Sequence, residues 1–530
     1  MPNEGDILTA RGKHAEYKFV WTGIPKIGAA KDVYFSPDKS YVVAFYKKKP
    51  DAAGMDRLAN LVGSYRERIF TPQPDGKYWE GIFCWPTDIV TAPGGVAELN
   101  GRIGLVVPAY PKNFFFEKNG PSPTTPMQGK EKEGKWFTNP VFRFGLVDPS
   151  ERGDWRRCFD TALVLARGVR RLHAAGLAHS DLSYKNILVD PSPRTAGDRV
   201  ASSVSIIDLD GLVVPGKYPP DVIGTKGFVA PEVMRTKALP KKDRKQPCRE
   251  TDLHALAVLI YLYLLCRHPL QGAAVMDDDD QDTLMYGEKA LFVEHPTNHA
   301  NRYDWKYAAA DWIGDEKNPK SRARKESELP LLRPWRDLDA LPYTALGPHL
   351  SKLVERAFVE GLHKPEKRPT AAEWEDSLFK TLDLLVPCAN PKCAMKWFVP
   401  GANPGGKCPF CGTAEPRPVA FVTLHEKDRK DGKYHQDRSV GRINLWHGTG
   451  LYLWHARPRI QREKLVSNDL HPFGQFSGAA ENWCFHPLRK GLFAVDSGSW
   501  LETGKPVPVQ DGTKILLDGE GSRLAIVHLR

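Results

Sequence analysis

The strongest constraint on this chain is a pair of short polar segments set among apolar ones. Residues 179–186 read H-S-D-L-S-Y-K-N, and I-I-D-L-D-G follows at residues 206–211. Just upstream, residues 154–175 carry apolar side chains at three- and four-residue spacings, the pattern of a long amphipathic helix. A helix running straight into an acid- and amide-bearing loop, with a second acidic loop soon after, ties three elements to one point of the fold.

Moving a phosphoryl group from a nucleotide needs such loops. One carboxylate must face the attacking hydroxyl, and a second carboxylate with an amide must hold the metal ions that bridge the phosphates. Residues 179–186 fit H-R-D-L-x-x-x-N at every specified position except the Arg, which is Ser180. G-T-K-G-F-V-A-P-E follows at residues 224–232, Asp252 opens an apolar helix pattern, and K-R-P-T brings Arg368. One short motif recurs by chance, whereas ordered landmarks from Asp181 to Arg368 do not. On them, residues 17–384 resemble a bacterial protein-kinase-like domain.

The resemblance implies roles. Asp181 would orient the attacking hydroxyl and accept its proton, and Asn186 and Asp208 would ligate Mg2+ or Mn2+. Asp210 stands where such loops carry Gly, an extra acid beside the metals. Glu232 would pair with Arg368, and Asp252 would brace the catalytic loop from beneath. Ser183 occupies the usual Lys position of Ser/Thr kinases, while Lys185 lies nearer the Arg position of tyrosine kinases. The acceptor therefore stays open, with Ser/Thr preferred. In the small lobe, K-I-G-A-A-K-D-V at residues 26–33 is the best match to the phosphate-covering G-x-G-x-x-G-x-V. Only Gly28 and Val33 survive, with Lys26 and Lys31 at the outer glycine positions. Ala44-Phe45-Tyr46-Lys47 overlays V-A-I-K, making Lys47 the phosphate-binding lysine, with Lys48 its competitor and Glu67 its helix partner. Val107 and Ala109, within V-V-P-A-Y, would meet the adenine of ATP through backbone groups. Between Gly211 and Gly224 there is no Ser or Thr, only Tyr218. Together with Ser180 this predicts an enzyme not switched on by phosphorylation of that loop.

Cys388, Cys393, Cys408 and Cys411 form C-x4-C and C-x2-C separated by fourteen residues. Four thiolates in two short turns suit tetrahedral zinc, read here as structural; disulfides or a rubredoxin-type iron are the alternatives. Beyond residue 418, short apolar runs alternate with turn residues, an all-β pattern. V-P-V-Q-D-G-T-K-I-L-L-D-G at residues 507–519 is similar to the last strands of forkhead-associated (FHA) sandwiches. Gly441-Arg442 is present without the S-x-x-H that reads phosphothreonine, so a β-sandwich used for docking is the expectation.

The 530 residues suit two to four domains. The expected class is α+β: a bilobal protein-kinase-like fold (small lobe 1–118, large lobe 119–384), then a zinc ribbon (385–415) and an all-β FHA-like sandwich (416–530). The formal charge of +11 comes from 75 basic and 64 acidic residues mixed along the chain, which argues against a nucleic-acid partner. The apolar run at 253–266 is too short to span a membrane, residues 1–13 carry no apolar leader, and the cysteine usage fits a cytoplasmic protein. Residues 119–135 read as a mobile loop, and the acidic 277–280 and basic 317–325 stretches as solvated loops. The whole arrangement resembles kinases found beside PP2C-type phosphatases and von Willebrand A proteins in bacterial tellurite-resistance and stress systems. That resemblance implies a protein substrate or regulatory partner of those kinds. The expectation is an ATP-dependent protein kinase, the alternative a pseudokinase scaffold that binds nucleotide without turnover. A small-molecule kinase is disfavoured by A-P-E and Arg368.

Overall fold

The computed structural model describes residues 2–529 apart from 24–25, 28–29, 72–75, 95, 193–202, 215–216, 218–223, 276–280, 404, 416–418, 458–459, 462–464, 466, 480–481 and 518–522. Gly28, Tyr218 and the acidic stretch 277–280 therefore lie outside the described residues.

The N-terminal part is an antiparallel sheet. Its strands are β1 (Ile7–Gly12), β2 (Glu16–Val20), β3 (Lys26–Ile27), β4 (Lys31–Phe35), β5 (Tyr41–Tyr46), β6 (Asp88–Thr91) and β7 (Ile103–Pro108), ordered β2-β1-β6-β7-β5-β4-β3. Strand alternation divides its side chains between two cores. Val43, Phe45, Tyr34 and Val106 pack with Phe19 on one side, while Leu105 and Tyr46 join the core shared with the helices. The segment that carries Glu67 is two helices, Ala52–Asn60 and Arg66–Phe70, joined by a π-helical turn at Leu61–Tyr65 in which Gly63 leaves helical geometry. The turn is held by Trp85, whose indole donates to Leu61 O at 2.8 Å.

The large lobe is built around the helix Trp155–Ala174, capped by Asp154, whose side chain accepts from Arg157 N at 3.0 Å. It packs on the helices Arg249–Leu265 and Ala371–Leu382. Beyond it the short strands β8 (Ile187–Val189) and β9 (Val204–Ile206) pair antiparallel. The apolar run at 253–266 forms most of the helix Arg249–Leu265 and its C-cap Cys266; the helix is buried on every side from Ala255 to Leu265. Among the described residues no helix is long and apolar enough to cross a membrane. Two expectations need correction. Residues 119–135 are not a free loop: Met127 is buried, and Lys132 is fastened between Glu151 (3.0 Å) and Asp190 (3.1 Å). Nor is 317–325 a loop. It opens the helix Pro319–Arg336, whose N-cap Asn318 accepts from Lys320 and Ser321 N–H.

After residue 385 the hairpin of β10 (Val386–Pro387) and β11 (Trp397–Phe398) leads through the cysteine turns. The apolar core of the large lobe continues into this segment through Val386, Met395 and Phe398. Two antiparallel sheets follow. The larger is centred on β12 (Phe421–Lys427) and the strand Arg523–His528; the smaller contains the strands Gly474–Ala479 and Asn482–Pro487. Val422, Phe476, Phe485 and Val527 fill the space between them, so the region is β-rich, with the short helix Leu453–Ala456 set among its strands. This unit rests on the end of Ala371–Leu382: Asn444 donates to Leu384 O at 2.6 Å, and the Phe379 and Trp454 rings lie 4.6 Å apart.

Candidate active site

Two contacts between the buried acid Asp252 and the backbone set the first loop. Asp252, 2% exposed, accepts the N–H of His179 at 2.7 Å and of Ser180 at 3.1 Å, and its carboxylate lies 3.2 Å from His173 Nε2. This is the brace the sequence suggested. Ser180 is held at φ +68, a left-handed conformation costing a non-glycine residue roughly 1–3 kcal/mol. Its hydroxyl donates to Gly211 O at 3.2 Å, fastening the first acidic loop to the second.

Asp181 is half-buried beside the segment 224–232. Its Oδ1 accepts from Thr225 N–H at 2.7 Å, and its Oδ2 accepts from Asn186 Nδ2 at 3.0 Å. The same Nδ2 donates to Asp181 O at 2.8 Å, so the Asn186 amide is turned with its nitrogen toward Asp181 and its oxygen left for a ligand. From Asn186 the chain enters β8, and it returns along β9 to Ile207. Ile207 N–H donates to Asn186 O at 3.0 Å, and His179 Nε2 lies 3.0 Å from Ile207 O.

The Ile207 to Asn186 backbone bond sets Asn186 and Asp208 at neighbouring ends of the paired strands. Asp208 is also left-handed (φ 60, ψ 45), and Leu209, which follows it, is buried in the core. Lower in the lobe, Arg368 grips Glu232 with two bonds of 2.7 and 2.8 Å and also donates to the carbonyls of Gly361, Glu250 and Leu362. Lys185 is exposed, its N–H donating to Ser183 Oγ at 3.3 Å.

The small lobe departs from expectation. Lys47 and Glu67 do not meet. Lys47 Nζ lies 3.8 Å from Asp32, on a side chain 40% exposed, and Asp32 is already bound by Arg102 at 2.8 Å. Glu67 is exposed on Arg66–Phe70. The reason is strand alternation: Ala44 and Tyr46 share one face of β5, so Lys47, one residue on, cannot share it. Exposed Lys48 is no substitute. The lysine beside the second acidic loop is Lys31 of β4, paired across the sheet with Tyr46. Its Nζ lies 2.6 Å from Asp210 and 3.3 Å from Asp208, and the Tyr46 hydroxyl donates to the other Asp210 oxygen. Burial by itself works against the Lys31 charge, but the carboxylates of Asp210 and Asp208 outweigh it and raise its pKa. Burial likewise opposes the Asp210 charge, and Lys31 with the Tyr46 hydroxyl more than compensates, holding that carboxyl below its usual value.

Val33 pairs with Ala44 on the same two strands. Of the predicted adenine contacts, Val107 pairs with Val42, and the Ala109 N–H is taken by Ser40 O at 3.0 Å, so Ala109 does not offer its N–H in this arrangement. Val107 and Tyr110 pack against a cluster of Cys84, Phe114, Leu188 and Ile207. Sequence reading missed Leu188 and Ile207 as apolar partners of this wall. It also missed Thr225 as the amide that holds Asp181, and Lys31 as the cleft lysine. The period of two along β5 was the available signal for the last.

The four cysteines expected to bind metal converge: their sulfurs all lie within 4.8 Å of one another, Cys388–Cys411 at 3.5 Å and Cys393–Cys408 at 3.9 Å. A disulfide needs about 2.05 Å. Tetrahedral zinc with bonds of about 2.3 Å needs sulfurs roughly 3.8 Å apart, so the set is compatible with such an ion.

Residues 153–376, which carry both acidic loops, match the protein kinase domain family. The chain is 34% identical over 106 residues to death-associated protein kinase dapk-1 of Caenorhabditis elegans, covering 20% of this chain and 6% of that protein. It is 27% identical over 248 residues to calcium-dependent protein kinase 25 of Arabidopsis thaliana, covering 44% and 43%. The chain thus spans less than half the length of either relative. Among solved structures, ROP2 of Toxoplasma gondii, described as a virulence factor with a protein-kinase fold and no enzymatic activity, aligns at 13% identity and a TM-score of 0.38, over 72% of this chain and 84% of that one. A rhoptry kinase of Toxoplasma gondii aligns at 15% identity and a TM-score of 0.38, over 72% and 86%.

Proposed function

We propose that this protein is an ATP- and magnesium-dependent protein kinase acting on Ser or Thr of a protein partner, and on itself. The observation that carries the reading is the gathering of Asp181, Asn186 and Asp208 on two bonded loops, with the turns at Ser180 and Asp208 in left-handed geometry. Asn186 and Asp208 are the residues that would hold magnesium, which neutralises charge developing on the phosphates. Asp181, fixed by Thr225 and Asn186, would align the acceptor hydroxyl and take its proton. Ser180, bonded to Gly211 instead of offering a guanidinium to a phosphate, supports control without phosphorylation of the activation loop. The cysteine cluster supports a structural zinc that completes the base of the large lobe. The sandwich is read as a docking unit, and a PP2C-type phosphatase and a von Willebrand A protein are the partners proposed on family resemblance.

The test is transfer of radiolabel from ATP with magnesium or manganese, wild type against Asp181→Ala and Asp208→Ala. Labelled protein with wild type alone supports the reading, and equal labelling by Asp208→Ala overturns the metal assignment. The exposed Glu67, unpaired with Lys47, favours a second reading, a scaffold that binds nucleotide without turnover. Nucleotide-dependent thermal stabilisation with no labelled product would support that alternative.

A further inference from the structure

We infer that the phosphate-binding cation of this site is Lys31, supplied by β4, and that Asp210 of the second acidic loop is the acid that positions it. The inference deepens the kinase reading and rests on it. The ligand is the polyphosphate of a nucleoside triphosphate.

Three observations converge. The first is reach: Lys31 Nζ is 3.3 Å from Asp208 and 2.6 Å from Asp210, whereas Lys47 Nζ is 3.8 Å from Asp32. A cation that neutralises phosphates bridged by metal must stand beside the metal-binding carboxylate, and Lys31 does. The second is register. Lys31 lies opposite Tyr46, and Val33 lies opposite Ala44, so Lys31, Val33, Ala44 and Tyr46 form a square on adjacent strands. Cross-strand partners project to the same face of a sheet. Tyr46, two residues after Ala44, therefore holds the strand position from which a lysine would reach the cleft. Its hydroxyl goes to Asp210, and its cross-strand partner brings the ammonium. The third is the anchoring acid. A lysine on a flexible stem needs a carboxylate to hold it in line. Asp210, 13% exposed at its side chain and gripped by Tyr46, provides one from the loop that carries Asp208. Glu67 is then left without that task, in keeping with its exposure.

This arrangement also accounts for two departures from the usual motifs. Lys31 stands at the outer glycine position of the phosphate-covering segment, and Asp210 stands at the glycine position after Asp208. Each replacement alone puts an unexplained charge in the cleft, and together they make an ion pair. An ammonium has three donors. Two are directed at Asp208 and Asp210 here, and the bond to Asp208 is the one that entry of a metal-bound nucleotide would exchange for a phosphate oxygen, while Asp210 keeps its hold.

The experiment compares Lys31→Met, Lys47→Met, Asp210→Asn and the double variant Lys31→Met/Tyr46→Lys. Each is checked for folding by circular dichroism, then assayed for Mg-ATP binding by thermal shift and for label transfer to itself and to dephosphorylated casein. Lys31→Met should lose about 10²-fold in kcat/KM, at least ten times the loss of Lys47→Met. Tyr46→Lys in the Lys31→Met background should recover tenfold or more, because it returns an ammonium to the same point from the neighbouring strand. A merely structural ion pair would show no such rescue. Where Lys31→Met folds poorly, Asp210→Asn carries the test, with a loss exceeding that of Lys47→Met. A larger loss for Lys47→Met, or absence of rescue in a folded double variant, overturns the inference. If wild type binds Mg-ATP but transfers nothing, the kinase reading falls while the Lys31 assignment is judged on binding alone: Lys31→Met must abolish the thermal shift. If wild type does not bind Mg-ATP, both fall.

Discussion

Replacing Asp252 by Asn should loosen the loop at residues 179–186 while leaving Asp181 and Asn186 themselves unchanged. Its two carboxylate oxygens accept from two successive N–H groups, His179 (buried) at 2.7 Å and Ser180 (part-buried) at 3.1 Å. Asn offers one acceptor oxygen and turns an NH2 donor toward the other amide, so one backbone N–H loses its partner. A hydrogen bond to a charged group contributes about 1.5–3 kcal/mol. At 1.4 kcal/mol per factor of ten, local opening should become roughly 10- to 150-fold more frequent. The left-handed Ser180 adds to the effect, since the bond from its own N–H helps to hold that conformation. Hydrogen exchange read by mass spectrometry on a peptide covering residues 176–186 measures it directly, with a peptide from β12 as internal control. Under the proposed kinase reading, kcat should fall by about 10²-fold through misplacement of Asp181, with little change in KM for ATP. Exchange at residues 179–180 within about twofold of wild type would refute the bracing argument.

Arg368→Met should leave Glu232 buried without its partner and cost about 3–5 kcal/mol in chemical denaturation. The double variant with Glu232→Met should recover much of that loss, and strictly additive effects would sink the pairing argument. His268 gives a pH test. Its Nε2 donates to Gly227 O (2.9 Å) and its Nδ1 accepts from Leu270 N–H (3.1 Å), so only the neutral ring fits, and burial pushes its pKa down to about 4. Between an unfolded value of about 6.5 and 4 the unfolded chain binds the extra proton. Stability is therefore full above about 6.5 and falls by up to roughly 3 kcal/mol as the pH drops to 4; buried His254, also lowered, acts in the same direction. A thermal midpoint whose pH slope is unchanged in His268→Gln would count against this. Elemental analysis should find one zinc per chain. Chelation should change tryptophan fluorescence, because Trp155 and Trp335 pack on Phe410 within the cysteine turn at 5.0 and 5.1 Å; an unchanged spectrum with zinc removed would exclude a structural ion.

The large lobe was legible because its chemistry is local. Asp181 and Asn186 sit five residues apart in one loop, and their relation survives any arrangement of the rest of the chain. Glu232, Asp252 and Arg368 were placed by order alone, and the fold joins each to the partner that order suggested. Composition was a poorer guide. Glycine, proline and lysine made residues 119–135 look unanchored, but the buried ion pairs of Lys132 come from residues distant in sequence. The basic residues after Asn318 looked like a solvated loop because their charge was more conspicuous than the cap that starts a helix there.

The order of residues by itself determined that this chain carries two acidic loops that resemble those of protein kinases, a four-cysteine turn pair and a terminal β-rich region. Tertiary structure decided which lysine meets the acids. A motif overlay counts positions along one strand, whereas a side chain's direction follows the period of two, and its partners follow from the register of the neighbouring strand. That register carries Lys31 to Tyr46, and the packing of the second loop against both brings Asp210 within 2.6 Å.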